Sequence, residues 1–170
     1  MDSLISQKEG SLSCLYVGGS HVQAGWIGHG IRDRFENHIP GSDKTRGWLL
    51  PYRMAQTDTP THFRTELEGI WSGFRCTNGG HDGPFGSSGM RAHTNDMQAT
   101  WQHLSIRSDS SFHEAHTLEV WGSATGCTPK WLGQETLKNR QESPNGNGWI
   151  FEFDHAVDTL KFGLERIQPG

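Results

Sequence analysis

Residues 146–167 read GNGWIFEFDHAVDTLKFGLERI, and their pattern decides the fold. Trp149, Phe151 and Phe153 alternate with Ile150, Glu152 and Asp154. Further on, Leu160, Phe162, Leu164 and Arg166 alternate with Thr159, Lys161, Gly163 and Glu165. A period of two marks a strand with one buried face, so two successive strands are expected, each turning a row of large side chains inward. Just upstream, SPNGNG (residues 143–148) supplies turn chemistry between strands.

Working outward, further short strands follow. GIWSGFRC opens one at Gly69, and the glycine-rich TNGGHDGPFGSSG (residues 77–89) follows as a long loop. MRAHTNDMQATWQHLSIRS holds one or two more. Toward the amino terminus, Leu12 to Val17 and Val22 to Ile27 read as strands around the turn VGGS. The segment 30–66 is loop-rich, with a short helical turn around Arg32 to His38 that Pro40-Gly41 halts. A second helical turn opens at Pro60 and runs through HFRTELEG. Short strands punctuated by Gly, Asn and Pro give a mainly β chain, an antiparallel sandwich or barrel, in a single domain over residues 1–170.

Composition agrees. Apolar residues make up only 32% of the 170, but 22 glycines stand beside them, and 7 Trp and 8 Phe supply a core of large rings. The balance of 15 basic and 19 acidic residues, net −4, gives no basic footprint for nucleic acid. No apolar run is long enough for a membrane-spanning helix. The opening MDSLISQKEGSLSCLYVGG lacks the basic and apolar regions of a signal peptide, so a cytoplasmic protein is expected. Cys14, Cys76 and Cys127 fit no zinc spacing and read as free thiols; Cys76 and Cys127 would pair only in an oxidising compartment.

FHEAHTLEVWG (residues 112–122) concentrates two histidines and two carboxylates. As a strand, it places His113, Ala115, Thr117, Glu119 and Trp121 on one face and Glu114, His116, Leu118 and Val120 on the other. The histidines then diverge, and no metal site is expected. His116 and Glu119 remain candidates to face a ligand.

The last hundred residues resemble jelly-roll β-sandwich domains of the carbohydrate-binding, galactose-binding-like kind. The resemblance rests on the order of GIWSGF (Gly69 to Phe74), the glycine loop, HTLEVWGS (His116 to Ser123), WLGQETL (Trp131 to Leu137) and the closing WIFEFDHAVDTLKFGLERI. It implies a ligand-binding sandwich without a required cofactor, with room for a structural calcium held by loop oxygens from Asn78, Asp82, Asn95, Asp96 and Asp109. Gly69-Ile70-Trp71 also resembles the Gly-x-Trp opening of lipocalin-like β-barrels, the alternative architecture. Both families imply a small-molecule ligand, and both include catalysts of isomerisation or cyclisation.

Two functions are therefore expected from different classes. One is an isomerase or cyclase acting on an enclosed apolar or aromatic metabolite. Asp154 would sit at the mouth of a ring-lined cavity, His103 would pair with Trp101 on one strand face, and His116 and Glu119 would assist as acid and base. Trp71, Trp101, Trp121 and Trp149 would line the site. The other is a non-catalytic carbohydrate-binding module with an exposed Trp platform and calcium in its loops.

Overall fold

The computed structural model describes residues 17–18, 22, 25–39, 48–60, 63–79, 84–86, 88–106, 115–122 and 126–166. The chain divides into two units, Met1–Lys44 and Thr45–Gly170. In the first, residues Trp26–His38 form helix α1. The strand read over Val22 to Ile27 gives way to this helix because Ile27, Ile31 and Phe35 recur at every fourth position, a helical spacing. His29 pairs with Asp33 one turn on at 3.4 Å, and the His38 ring nitrogen Nδ1 donates to the Arg34 carbonyl at 2.8 Å. The helix ends at His38, two residues before Pro40, as the sequence predicts. The strand expected over Leu12 to Val17 falls almost entirely outside the described residues.

The second unit is mainly β, with every strand pairing antiparallel. Its strands are β1 (Phe63–Glu68), β2 (Ser72–Arg75), β3 (Met90–His93), β4 (Thr100–Ser105), β5 (Ala115–Trp121), β6 (Cys127–Trp131), β7 (Leu137–Glu142), β8 (Gly148–Val157) and β9 (Thr159–Arg166). They form a four-stranded sheet in the order β1-β4-β9-β6, a three-stranded sheet in the order β5-β8-β7, and the hairpin β2-β3. From β4 to β7 the chain alternates between the two larger sheets, and neither closes into a barrel. The result is an open antiparallel sandwich rather than the lipocalin-like barrel.

β8 and β9 are the strands read from the alternating rings, and only Asp158 separates them. β8 lies at the centre of one sheet and β9 within the other, so a single run of chain supplies an inward row to both. Those rows are Phe151, Phe153 and Val157 followed by Leu160 and Phe162, all buried. The two sheets meet through them. Phe151 packs edge-on against Phe162 at 5.1 Å between ring centroids, and Trp131 of β6 meets Phe153 at 4.7 Å and Phe162 at 5.2 Å. Trp101 of β4 stacks on Phe162 at 6.1 Å. Fully burying a large apolar side chain is worth about 1.5–3 kcal/mol, and among the described residues these rings form the core cluster of the unit.

One stretch of this unit differs from the sequence reading. The helical turn expected after Pro60 is instead strand β1, because Phe63, Thr65 and Leu67 alternate with Arg64, Glu66 and Glu68 and pair with Ser105, His103 and Trp101 of β4. WLGQETL runs from the last residue of β6, Trp131, to the first of β7, Leu137, and connects the two. Its chain folds back over an indole: Trp131 Nε1 donates to the Glu135 carbonyl at 3.0 Å, and a Cβ at Gly133 would lie 2.0 Å from the Trp131 ring.

A polar contact also spans the sheets. Arg140 of β7 donates to Glu165 of β9 and, at 2.5 Å, to the Thr128 hydroxyl of β6, while its guanidinium lies 5.9 Å from the Phe151 ring centre. The Arg140 hydrogen bond holds the Glu165 carboxyl below its ordinary value of 4.5. A group depressed on folding contributes stability above its unfolded value and loses it as the pH falls through the folded one. Melting should therefore weaken progressively from pH 4.5 downward, and Arg140→Met should remove part of that acid slope at a cost near 1 kcal/mol or less at neutral pH, since the pair is partly exposed. Phe151→Ala, in contrast, should cost about 3–5 kcal/mol by chemical denaturation at any pH in this range.

Candidate functional site

β5 decides what the three-stranded sheet shows to solvent. Leu118 and Val120 pack on the core, so the alternation sends Thr117, Glu119 and Trp121 to the opposite, exposed side. Pairing through β8 extends each position across the sheet. Thr117 is level with Glu152 and Asn139, and Glu119 with Ile150 and Gln141. Trp121 is level with Gly148.

At the end of this face two indoles stand in solvent. Trp121 is 56% exposed and Trp48, from the segment before the first strand, is 50% exposed. Their rings meet edge to face at 5.3 Å and 71°. Indoles carry the largest apolar surface of any side chain and are seldom left wet without a role.

A polar tether runs beside Trp121. The Glu119 carboxylate accepts a hydrogen bond from the Ser143 hydroxyl, and this bond together with the neighbouring Trp121 indole holds it below the ordinary carboxyl value of 4.5. Ser143, only 4% exposed, lies in the β7–β8 turn, whose backbone closes with Ser143 N–H donating to the Gly148 carbonyl at 2.8 Å. Gly148 is needed between them: a Cβ there would lie 2.4 Å from the Val120 carbonyl oxygen and 3.1 Å from the Trp121 Cα. Farther along the face, the Asn139 amide donates to Glu152 at 3.4 Å. The arrangement is two exposed indoles set edge to face, bordered by carboxylates and amides with hydrogen-bonding capacity left over on each.

The residues expected from the sequence are distributed over the unit. His103 is 2% exposed on the inner side of the four-stranded sheet, hydrogen-bonded to the Thr65 hydroxyl at 3.2 Å. It lies 4.5 Å from the Phe63 ring and 6.1 Å from Trp101, so the expected Trp101–His103 pair is on one face. Glu119 belongs to the outer face of the other sheet. His116 and Asp154, both exposed, come together along the backbone, because Phe153 to Ala156 bulge opposite His116 where the β5–β8 register shifts. Among the four tryptophans, Trp101 and Trp149 pack against the core. Trp71 donates to the carbonyls of Glu68 and Thr100 at 3.0 and 3.2 Å, which ties it to the end of the β1–β4 pair. Only Trp121 combines exposure with a partner ring.

Of the loop oxygens considered for calcium, Asp82 and Asp109 fall outside the described residues. Asp96 directs its two oxygens to the main-chain amides of Ile70 and Gln98, at 3.0 and 2.9 Å. Among the described residues no cluster of three His, Cys, Asp or Glu side chains gathers to hold a cation. Cys76 and Cys127 are free thiols. No described helix is long and apolar enough to cross a membrane.

Sequence reasoning missed Trp48 and Ser143. Trp48 belongs to no periodic segment, and its only signal is an indole stranded in a loop. Ser143 was read for its turn, not for its hydroxyl. Comparison of the chain with protein-family models, with curated proteins and with solved structures gives no match.

The tether predicts an acid response. As the pH falls from 4.5 through the lowered value of Glu119, its carboxyl becomes protonated and accepts hydrogen bonds more weakly, so Trp121 gains freedom. Near-ultraviolet circular dichroism from the Trp48–Trp121 pair should weaken there, and Ser143→Ala should show a similar loss already at neutral pH. An unchanged spectrum in that variant would disprove the tether.

Proposed function

We propose that this protein is a non-catalytic carbohydrate-binding module whose ligand lies on the outer face of the three-stranded sheet. The observation that carries the reading is the exposed Trp48–Trp121 pair, with Glu119 beside one ring. A sugar ring offers an apolar C–H face and a rim of hydroxyls. An immobilised indole complements the first, and carboxylates and amides beside it complement the second. Holding the indole in place before binding reduces the ordering entropy the ligand must overcome.

The inward rings support a surface site over an enclosed one, since Phe151, Phe153, Phe162, Trp101 and Trp131 are already in contact with each other. The acid–base reading would need Asp154, His103, His116 and Glu119 around one substrate. His103 is on the inner side of one sheet, and Glu119 is on the outer side of the other.

Calorimetric titration with soluble glycans tests the proposal. Trp121→Ala and Trp48→Ala should each weaken binding by about tenfold, the scale of one aromatic contact, and leave the melting temperature unchanged. Wild-type affinity in both variants would overturn it, as would failure of every glycan class to bind.

A further inference from the structure

The charges on the same face point to a narrower ligand class, an inference that rests on the carbohydrate reading. At the outward register positions of β5, β8 and β7, the charged side chains are Glu119 and Glu152, and both are carboxylates. Their neighbours at those positions are neutral: Thr117, Ile150, Asn139 and Gln141. Arg140 of β7 alternates away from this face and is engaged by Glu165 and Thr128. Lys138 is exposed in the bulge between Leu137 and Asn139, at the end of the sheet away from Trp121. His116, His155 and Asp154 stand exposed around the β8 bulge, where Asp154 adds a third carboxylate.

We propose that the face takes a glycan carrying protonated amines, such as an oligomer of glucosamine, with an amine meeting Glu119 beside the Trp121 ring and another meeting Glu152 farther along the sheet. Thr117 and Glu119 lie two residues apart on β5, and Glu152 is level with Thr117. A rise of about 3.3 Å per residue therefore separates the two carboxylate rows by roughly 7 Å along the strand. Both rows then fall within the reach of one short oligomer. An ammonium group gains from the indole faces as well as from the carboxylates, because the ring quadrupole attracts cations. Uronic-acid or sulfated chains would bring like charge to Glu119 and Glu152 and be rejected.

The test compares oligomers of equal length by calorimetry at mildly acidic pH, where amino-sugar amines carry their proton and Glu119 stays ionised: glucosamine, N-acetylglucosamine and a uronic acid. The glucosamine oligomer should bind about three- to fivefold more tightly than the acetylated one, the scale of an exposed charge pair, and the uronate should bind weakest. Added salt should shrink the preference, since exposed charges are screened. Glu152→Gln, which leaves Glu119 and Trp121 in place, should lower the affinity for the glucosamine oligomer by a larger factor than the affinity for the acetylated one. Equal or tighter binding of the acetylated oligomer or the uronate overturns the charge inference and leaves the carbohydrate reading standing. Absence of binding by all three, with neutral glycans of other linkages also silent, overturns the carbohydrate reading itself.

Discussion

The passage of one strand from sheet to sheet at Asp158 constrains the rest of the fold. Because β8 and β9 are nearly continuous, Phe151, Phe153, Val157, Leu160 and Phe162 form one inward series that belongs to both layers. Four of the other five strands in the two sheets pair with it directly: β5 and β7 flank β8, β4 and β6 flank β9, and β1 joins through β4. A slip of one residue in β8 would turn Ile150, Glu152 and Asp154 inward and bury carboxylates among rings. The register is therefore fixed by the cost of that alternative as much as by the gain from the rings.

The outer face follows from the inner one. Once Leu118 and Val120 are committed to the core, Trp121 has no option but the opposite side. An indole there would ordinarily be mobile and partly folded back on nearby apolar surface. Two neighbours limit this: the Trp48 ring, edge to face at 5.3 Å, and the Glu119 carboxylate two residues back on the same strand face. Glu119 is held in turn by Ser143, which the β7–β8 turn places across Gly148. The turn that sets the strand register thus also orients an exposed ring, and stability and site share one element.

Much of this was legible in the chain, and the differences have physical causes. Period-two alternation of large rings identified β8 and β9, and the Gly- and Asn-rich SPNGNG identified the turn before them. The strand read through HTLEVW is β5, whose alternation separates Thr117, Glu119 and Trp121 from Leu118 and Val120 as the sequence shows. Trp121 and Glu119 were both singled out, though as parts of an enclosed site rather than as neighbours on an open face. β1 was misread because Pro60 and the run of Glu and Arg favour a helix locally; pairing with β4 overrides that preference. Trp48 was illegible because its role depends on a ring 73 positions away in sequence, a contact that no local period encodes.

An open sandwich with two indoles in solvent invites self-association, and the strand edges show how this chain limits it. Among the described residues, the outer strands of the four-stranded sheet are β1, whose solvent side carries Arg64, Glu66 and Glu68, and β6, which contains Pro129 and so lacks one ladder donor. β7 presents Lys138 and Glu142 at the edge of the other sheet. β5 carries a single formal charge, Glu119, and its guard is geometric: the register shift between Ala115 and Thr117 interrupts its regular extension. Glu119 and Glu152 then place like charges on the face that bears the indoles, so that two copies meeting face to face would oppose carboxylate to carboxylate. The same groups that would select a cationic guest therefore also keep the exposed rings from pairing with another copy of themselves.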